Sequence, residues 1–196
     1  MIQPEDVLSF WLGPPGEDIQ VAIQRWFRKV PEIDRQIQER FGDVLIRAGN
    51  GECNDWAKTP RHRLALILLF DQIVRNIRRG TKEMFEFDER AQKLAVEGLH
   101  EGMDRDLSIL ERYFFSFPLQ HSENEELQDW SLQLSQKLLD EGPPPLQFLL
   151  QKHHDHARLF RDVIHRFGRF PHRNGLLGRE STPEEIDFLK TPGLPF

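Results

Sequence analysis

A single cysteine, Cys53, stands in a chain of 196 residues, which excludes an intramolecular disulfide and a four-cysteine zinc module. Such usage suits a reducing compartment, and the cytoplasm is the expected location. The opening Met1-Ile2-Gln3-Pro4-Glu5-Asp6 has neither the basic region nor the apolar stretch of a secretory signal. Long hydrophobic runs are missing too. The longest, Leu64 to Phe70, has seven residues, against the ~20 that cross a bilayer, so no membrane partner is expected. Strand-forming residues are scarce: Val, Ile, Thr and Tyr together number 24, while Leu alone numbers 25. There is no glycine-rich phosphate loop, nucleophile-elbow serine or zincin motif, and the paired Glu-x-x-His motifs of di-iron bundles are absent. No cofactor and no metal are therefore expected.

What is present supports a real core. Fifteen Phe, four Trp and a 38% hydrophobic share argue against disorder. A chain of 23.2 kDa should expose roughly 9,700 Å² when folded, about 30% of its unfolded surface. The net charge of −6 makes nucleic acid an unsuitable partner, because affinity there rests on neutralising phosphates. That average hides a local reversal: from Arg158 to Arg179 there are six arginines and one acid, Asp162. Arginine outnumbers lysine 19 to 7 overall, and its planar fork suits bidentate pairing with carboxylate or phosphate. Intramolecular ion pairs are the commoner cause of such a cluster, and an anion site is the other.

Helical periodicity recurs along the chain. Ile33, Ile37, Phe41, Val44 and Ala48 share one face after Pro31. Leu107, Leu110, Phe114 and Phe117 form a second stripe, Leu127, Trp130, Leu134 and Leu138 a third, and Leu149, His153, Phe160 and Phe167 a fourth. Thr59-Pro60 opens the Leu64–Phe70 segment, which is apolar all round and so belongs at the centre. Gly13-Pro14-Pro15-Gly16, Gly49-Asn50-Gly51, Gly102 and Gly142-Pro143-Pro144-Pro145 mark short turns. Short turns imply one all-α domain over residues 1–196, built of stacked antiparallel helix pairs. No fixed repeat survives counting.

Four segments carry polar residues that helix-building does not demand. In Asp71-Gln72-Ile73-Val74-Arg75-Asn76, Asp71 and Arg75 are four apart and predict an internal ion pair. In His121-Ser122-Glu123-Asn124-Glu125, Ser122 and Glu125 fit a capping box, leaving His121 and Glu123 unexplained. In Phe167-Gly168-Arg169-Phe170-Pro171-His172-Arg173-Asn174, Gly168 reads as a helix C-cap followed by a polar loop between aromatic anchors. His153-His154-Asp155-His156 offers two imidazoles three apart, but no further ligand has supporting spacing; His153 is expected against the core and His154 in solvent.

The first three of these segments, with Phe10-Trp11-Leu12-Gly13, Arg25-Trp26-Phe27, Leu64-Ala65-Leu66, Pro118-Leu119 and the tail Gly178-Arg179-Glu180-Ser181-Thr182-Pro183-Glu184-Glu185, resemble the bacterial "domain of unknown function 924" family. The resemblance covers nearly the whole chain. It implies an all-α fold similar to tetratricopeptide domains and no assigned activity. Two departures stand out: Phe160 occupies a position where the family often has a polar side chain, and the His153-His154 doublet is local to this sequence.

Two functions of different class remain. One is a binding module for a protein or peptide partner or a small anion, held by Arg75, Asn76, Arg169, His172, Arg173, Asn174 and Arg179. The other is a hydrolase-like or lyase-like enzyme with His121 or His172 as base, Asp71 or Glu123 as orienting acid, and Arg173 stabilising negative charge. The plainest alternative is a buried polar network that only fixes helix order.

Overall fold

Proline sets several helix starts, because its fixed φ and missing N–H cost nothing in a first turn. In this computed structural model, which describes residues 1–14, 16–27 and 29–194, Pro4, Pro31, Pro60 and Pro183 each open a helix. Pro15, in the expected first turn, lies outside the described residues. The elements are α1 (Pro4–Leu12), α2 (Ile19–Phe27), α3 (Pro31–Gly49), α4 (Pro60–Ile67), α5 (Val74–Ile77), α6 (Asp88–His100), α7 (Ile109–Gln120), α8 (Glu125–Glu141), α9 (Gln147–Phe167), α10 (Asn174–Leu177) and α11 (Pro183–Leu189), with short 3-10 turns between several of them. Among the described residues there is no strand, and no helix is long and apolar enough to cross a membrane. The fold is all-α.

The all-round apolar segment is central, as its composition requires. Every residue from Leu64 to Phe70 is at most 2% exposed, because α1, α3, α6 and α7 all pack against this rod. Burying one such Leu or Phe stabilises the fold by about 1.5–3 kcal/mol. Between α4 and α5 the rod passes through one π-helical stretch, Leu68–Ile73. That widening inserts an extra residue into the turn and re-aims the side chains within it, a device often found at functional sites. Asp71 and Gln72 lie inside it.

α7, α8 and α9 form consecutive antiparallel pairs. Arg112 meets Glu141 while Gln128 bonds the Leu119 and Gln120 carbonyls, so α8 retraces α7. Asp129, Ser135 and Leu139 then meet Arg161, His154 and Gln147 in descending order, so α9 retraces α8. The start of α8 differs from the capping box expected of Ser122. Asn124 is the N-cap, its side chain accepting from Leu127 N at 3.0 Å, while Ser122 Oγ donates to Gln92 and accepts from Asn124 N. Gly168 does close α9 in the left-handed region, at φ 68°, where a Cβ would be strained. Beyond it, Phe170 packs on Val163 and Ile164 in a second small core that fastens the loop to α9.

Candidate functional site

The extra residue of the π-helical turn brings Asp71 to His121, the residue that caps α7. His121 Nδ1 lies 2.7 Å from Asp71 Oδ1, and Gln72 Nε2 donates to Asp71 Oδ2 at 2.7 Å. Asp71 is only 1% exposed. Burial alone would push its carboxyl up, but the adjacent imidazole, its hydrogen bond and Arg75 outweigh that and hold it down to about 2. With Nδ1 committed to the carboxylate, the imidazole's orientation and tautomer are set and Nε2 is left for other work.

Two arginines complete the cluster. Arg75 Nη2 is 3.5 Å from Asp71 but 2.8 Å from Asp88, so the expected i,i+4 pair is the weaker of its two ion pairs. Arg173 reaches the same Asp88 at 3.2 Å and donates to the His121 carbonyl at 2.9 Å. Asp88 therefore bridges two guanidiniums and links α6 to the loop after α9. Its own carboxyl is pushed up by burial, partly offset by Arg75 and Arg173. Burial and the like charge of Arg75 push Arg173 down to about 10. Phe85 lies under both cations, its ring centroid 5.4 Å from Arg75 and 4.7 Å from Arg173. The Nε–H donors of Arg75 and Arg173 are buried and without hydrogen-bond partners, which is costly for a charged group.

These side chains enclose a cavity of about 260 Å³ whose wall includes Arg75, Phe85, His121, Phe160, His172 and Arg173. His172 is held neutral: burial, then the charge of Arg173, lowers it to about 3. Across His121 and Phe160 lies a second cavity of about 400 Å³, lined by Tyr113, Phe117, Phe148 and His153 among others. A larger hollow of about 900 Å³ runs beside α1 and α2. Among the described residues its lining contains no histidine or cysteine, and the arginine there, Arg61, is already held by Glu5 and Glu111. The histidines and the Arg75–Arg173 pair line the two smaller cavities instead.

The other sequence-selected residues go elsewhere. Arg179 Nη1 and Nη2 bond Glu123 at 2.7 and 3.0 Å, Arg179 Nε bonds Asn174, and Glu123 accepts the Phe170 N–H at 2.8 Å. Arg169 is held by Glu185 and the Glu180 carbonyl. Together these fix the 168–185 segment to the body rather than line the cavity. Asn76 turns to Asp34 at 2.8 Å and ties α5 to α3. His153 is buried, stacked on Phe117 with centroids 5.1 Å apart. His154, expected in solvent, is half-buried with Ser135 3.1 Å from its Nδ1. Among the described residues no group of three or more His, Cys, Asp or Glu could hold a metal ion. Sequence reasoning missed Asp88, which reads as an ordinary first-turn helix acid; its setting after Phe85-Glu86-Phe87 is the only local sign.

A family model described as a bacterial protein of unknown function (DUF924) matches residues 7–193, a span that includes every member of this cluster. The chain belongs to this family. A solved structure of a protein of unknown function from Agrobacterium tumefaciens is similar to it at 35% identity and a TM-score of 0.81, covering 95% of this chain and 96% of that one. No curated protein matches. In this chain the fold sets an Asp–His pair beside one buried arginine, Arg173, and one half-buried one, Arg75.

Proposed function

We propose that this family member binds a small anion in the cavity walled by Arg75, Arg173 and His121. The observation that carries the reading is the pair of buried, unpartnered Nε–H donors on two arginines that line one cavity. A carboxylate or phosphate oxygen accepting from them would remove a desolvation cost of about 1–3 kcal/mol per donor. The size of the cavity, about 260 Å³, lies below the ~300–1,000 Å³ of drug-sized pockets, which favours a small anionic group over a peptide.

Titration calorimetry with inorganic phosphate and with acetate tests this. Arg75→Gln should weaken both at least tenfold, and Arg166→Gln, whose guanidinium meets Glu184 at the surface, should change neither. Absence of binding to the native protein, or equal losses in the two variants, would refute it.

A second reading, a hydrolase-like activity, is favoured by one specific contact, the 2.7 Å Asp71–His121 pair. In it His121 Nε2 takes the proton of a water as the water oxygen attacks an ester carbonyl, and returns that proton to the departing alcohol. Arg173 faces the developing negative charge. Cleavage of 4-nitrophenyl acetate should then disappear in His121→Gln while phosphate still binds; an unchanged rate excludes the activity.

A further inference from the structure

The two cavities share a partition. His121 and Phe160 line both, and both residues are only half-buried, so the rim between the cavities is reachable from solvent. On one side stand the two arginines. On the other, Tyr113, Phe117, Phe148 and Leu149 give the second cavity a mainly apolar wall, interrupted by Gln120, Lys152, His153 and His156. Phe27 and Phe148, also in its lining, are 48% and 60% exposed, so their rings offer apolar surface to a ligand entering from solvent. Among the described residues of that lining, one buried polar atom has no hydrogen-bond partner. His153, 3% exposed, has a buried Nε2 without a hydrogen-bond partner, and burial, with the neighbouring histidines, keeps its ring neutral.

We infer that the ligand is an elongated organic acid: a carboxylate or phosphate head between Arg75 and Arg173, and an aryl or alkyl tail laid over the His121–Phe160 rim into the 400 Å³ cavity. The inference rests on the anion reading above and adds the chemical class of the tail. Both dimensions support it. The smaller cavity suits a head group alone, whereas the larger falls within the range that takes a substantial apolar body. A polar substituent on the tail would meet the unpartnered His153 Nε2. His121 then faces the junction of head and tail, and Phe160, in ring contact with both His156 and Phe170, forms the ridge the chain must cross.

The test is an affinity series on the full chain: acetate, 3-phenylpropanoate, 5-phenylpentanoate and the uncharged 5-phenylpentanamide. Removing apolar surface from water should make 5-phenylpentanoate bind at least tenfold tighter than acetate. The amide should bind at least tenfold more weakly than its acid. In Phe27→Asp and Phe148→Asp, exposed positions whose folding is checked by circular dichroism, the ratio between 5-phenylpentanoate and acetate should fall below twofold. If acetate binds in an Arg75-dependent way but the phenyl tail adds nothing, or adds as much in both variants, the tail inference is overturned and the anion site stands. If acid and amide bind alike, the anion site itself is refuted, and this inference with it.

Discussion

His121 Nδ1 and Asp71 Oδ1 lie 2.7 Å apart although fifty positions separate them in the chain. The contact joins the π-helical turn of the central rod to the end of α7. Asp71 also takes Gln72 and, more distantly, Arg75, so one buried carboxylate satisfies three donors. Asp71→Ala should therefore strand those groups and cost about 3 kcal/mol, in line with breaking a buried pair from one side. Urea denaturation measures it; a loss under about 0.5 kcal/mol, the scatter of neutral surface changes, would show that the pair contributes no stability.

Acid should destabilise the protein well above the pH at which carboxylates protonate. His153 and His172 are lowered to about 3 in the folded state, while an unfolded histidine titrates near ~6.5. Between these values the unfolded chain binds more protons. The contribution of these residues is thus complete above about pH 6.5 and is lost as pH falls toward 3. For the buried His153 the slope approaches about 1.4 kcal/mol per pH unit. Asp71 acts in a lower window, since its contribution is present above its ordinary 3.8 and is lost as pH falls through about 2. Urea midpoints at pH 7.5, 6 and 5 should decline, less steeply in His153→Phe; parallel declines would contradict the assignment to His153.

Glu185 should hold the C-terminal segment in place. It is 2% exposed and accepts from Arg169, the Thr182 N–H and Asn174. The Arg169 hydrogen bond leads the effects that bring its carboxyl down to about 2. Glu185→Ala leaves these donors unmatched, at a cost of about 1–3 kcal/mol. Trypsin should then cut at Arg179 in the variant and spare it in the native protein; identical digestion patterns would speak against this role.

Two glycine-to-alanine changes should act in opposite directions. A Cβ on Gly98 would lie 2.5 Å from Phe115 Cζ and 2.9 Å from Arg63 Cδ, both in buried residues, so Gly98→Ala should cost about 1–3 kcal/mol by overpacking. On Gly42 the nearest atom, at 2.3 Å, is the Nε2 of the exposed Gln38, which can swing away. Gly42→Ala should then stabilise α3 by up to about 1 kcal/mol through helix propensity. Thermal melts of both variants decide the matter, and equal signs would contradict the argument.

Much of the architecture was legible locally. The Ile33 to Ala48 stripe, proline at the helix starts, Gly168 at the end of α9 and the all-round apolar Leu64–Phe70 segment each state a requirement that neighbouring residues express within one or two turns. The polar segments were legible as segments. Their partners were not, because an ion pair between α5 and α6, or a histidine seated on a carboxylate fifty residues away, depends on helix packing. Nor does any spacing announce a π-helical turn, and that turn re-aims Asp71 at His121, leaving Arg75 nearer to Asp88.

The local excess of arginine shows the division most clearly. By itself the sequence determined that six arginines crowd between residues 158 and 179 of an acidic chain, on a helix ending at Gly168 and on the segment after it. Only the tertiary structure decided their partners: all six meet a carboxylate, Asp155, Asp129, Glu184, Glu185, Asp88 and Glu123 in turn. Arg173 alone among them combines burial, an unpartnered Nε–H and a place on a cavity wall. The reason is physical. Charge and helical period are properties of neighbours along the chain, whereas desolvation and the count of satisfied donors are set by whatever the fold packs around each side chain.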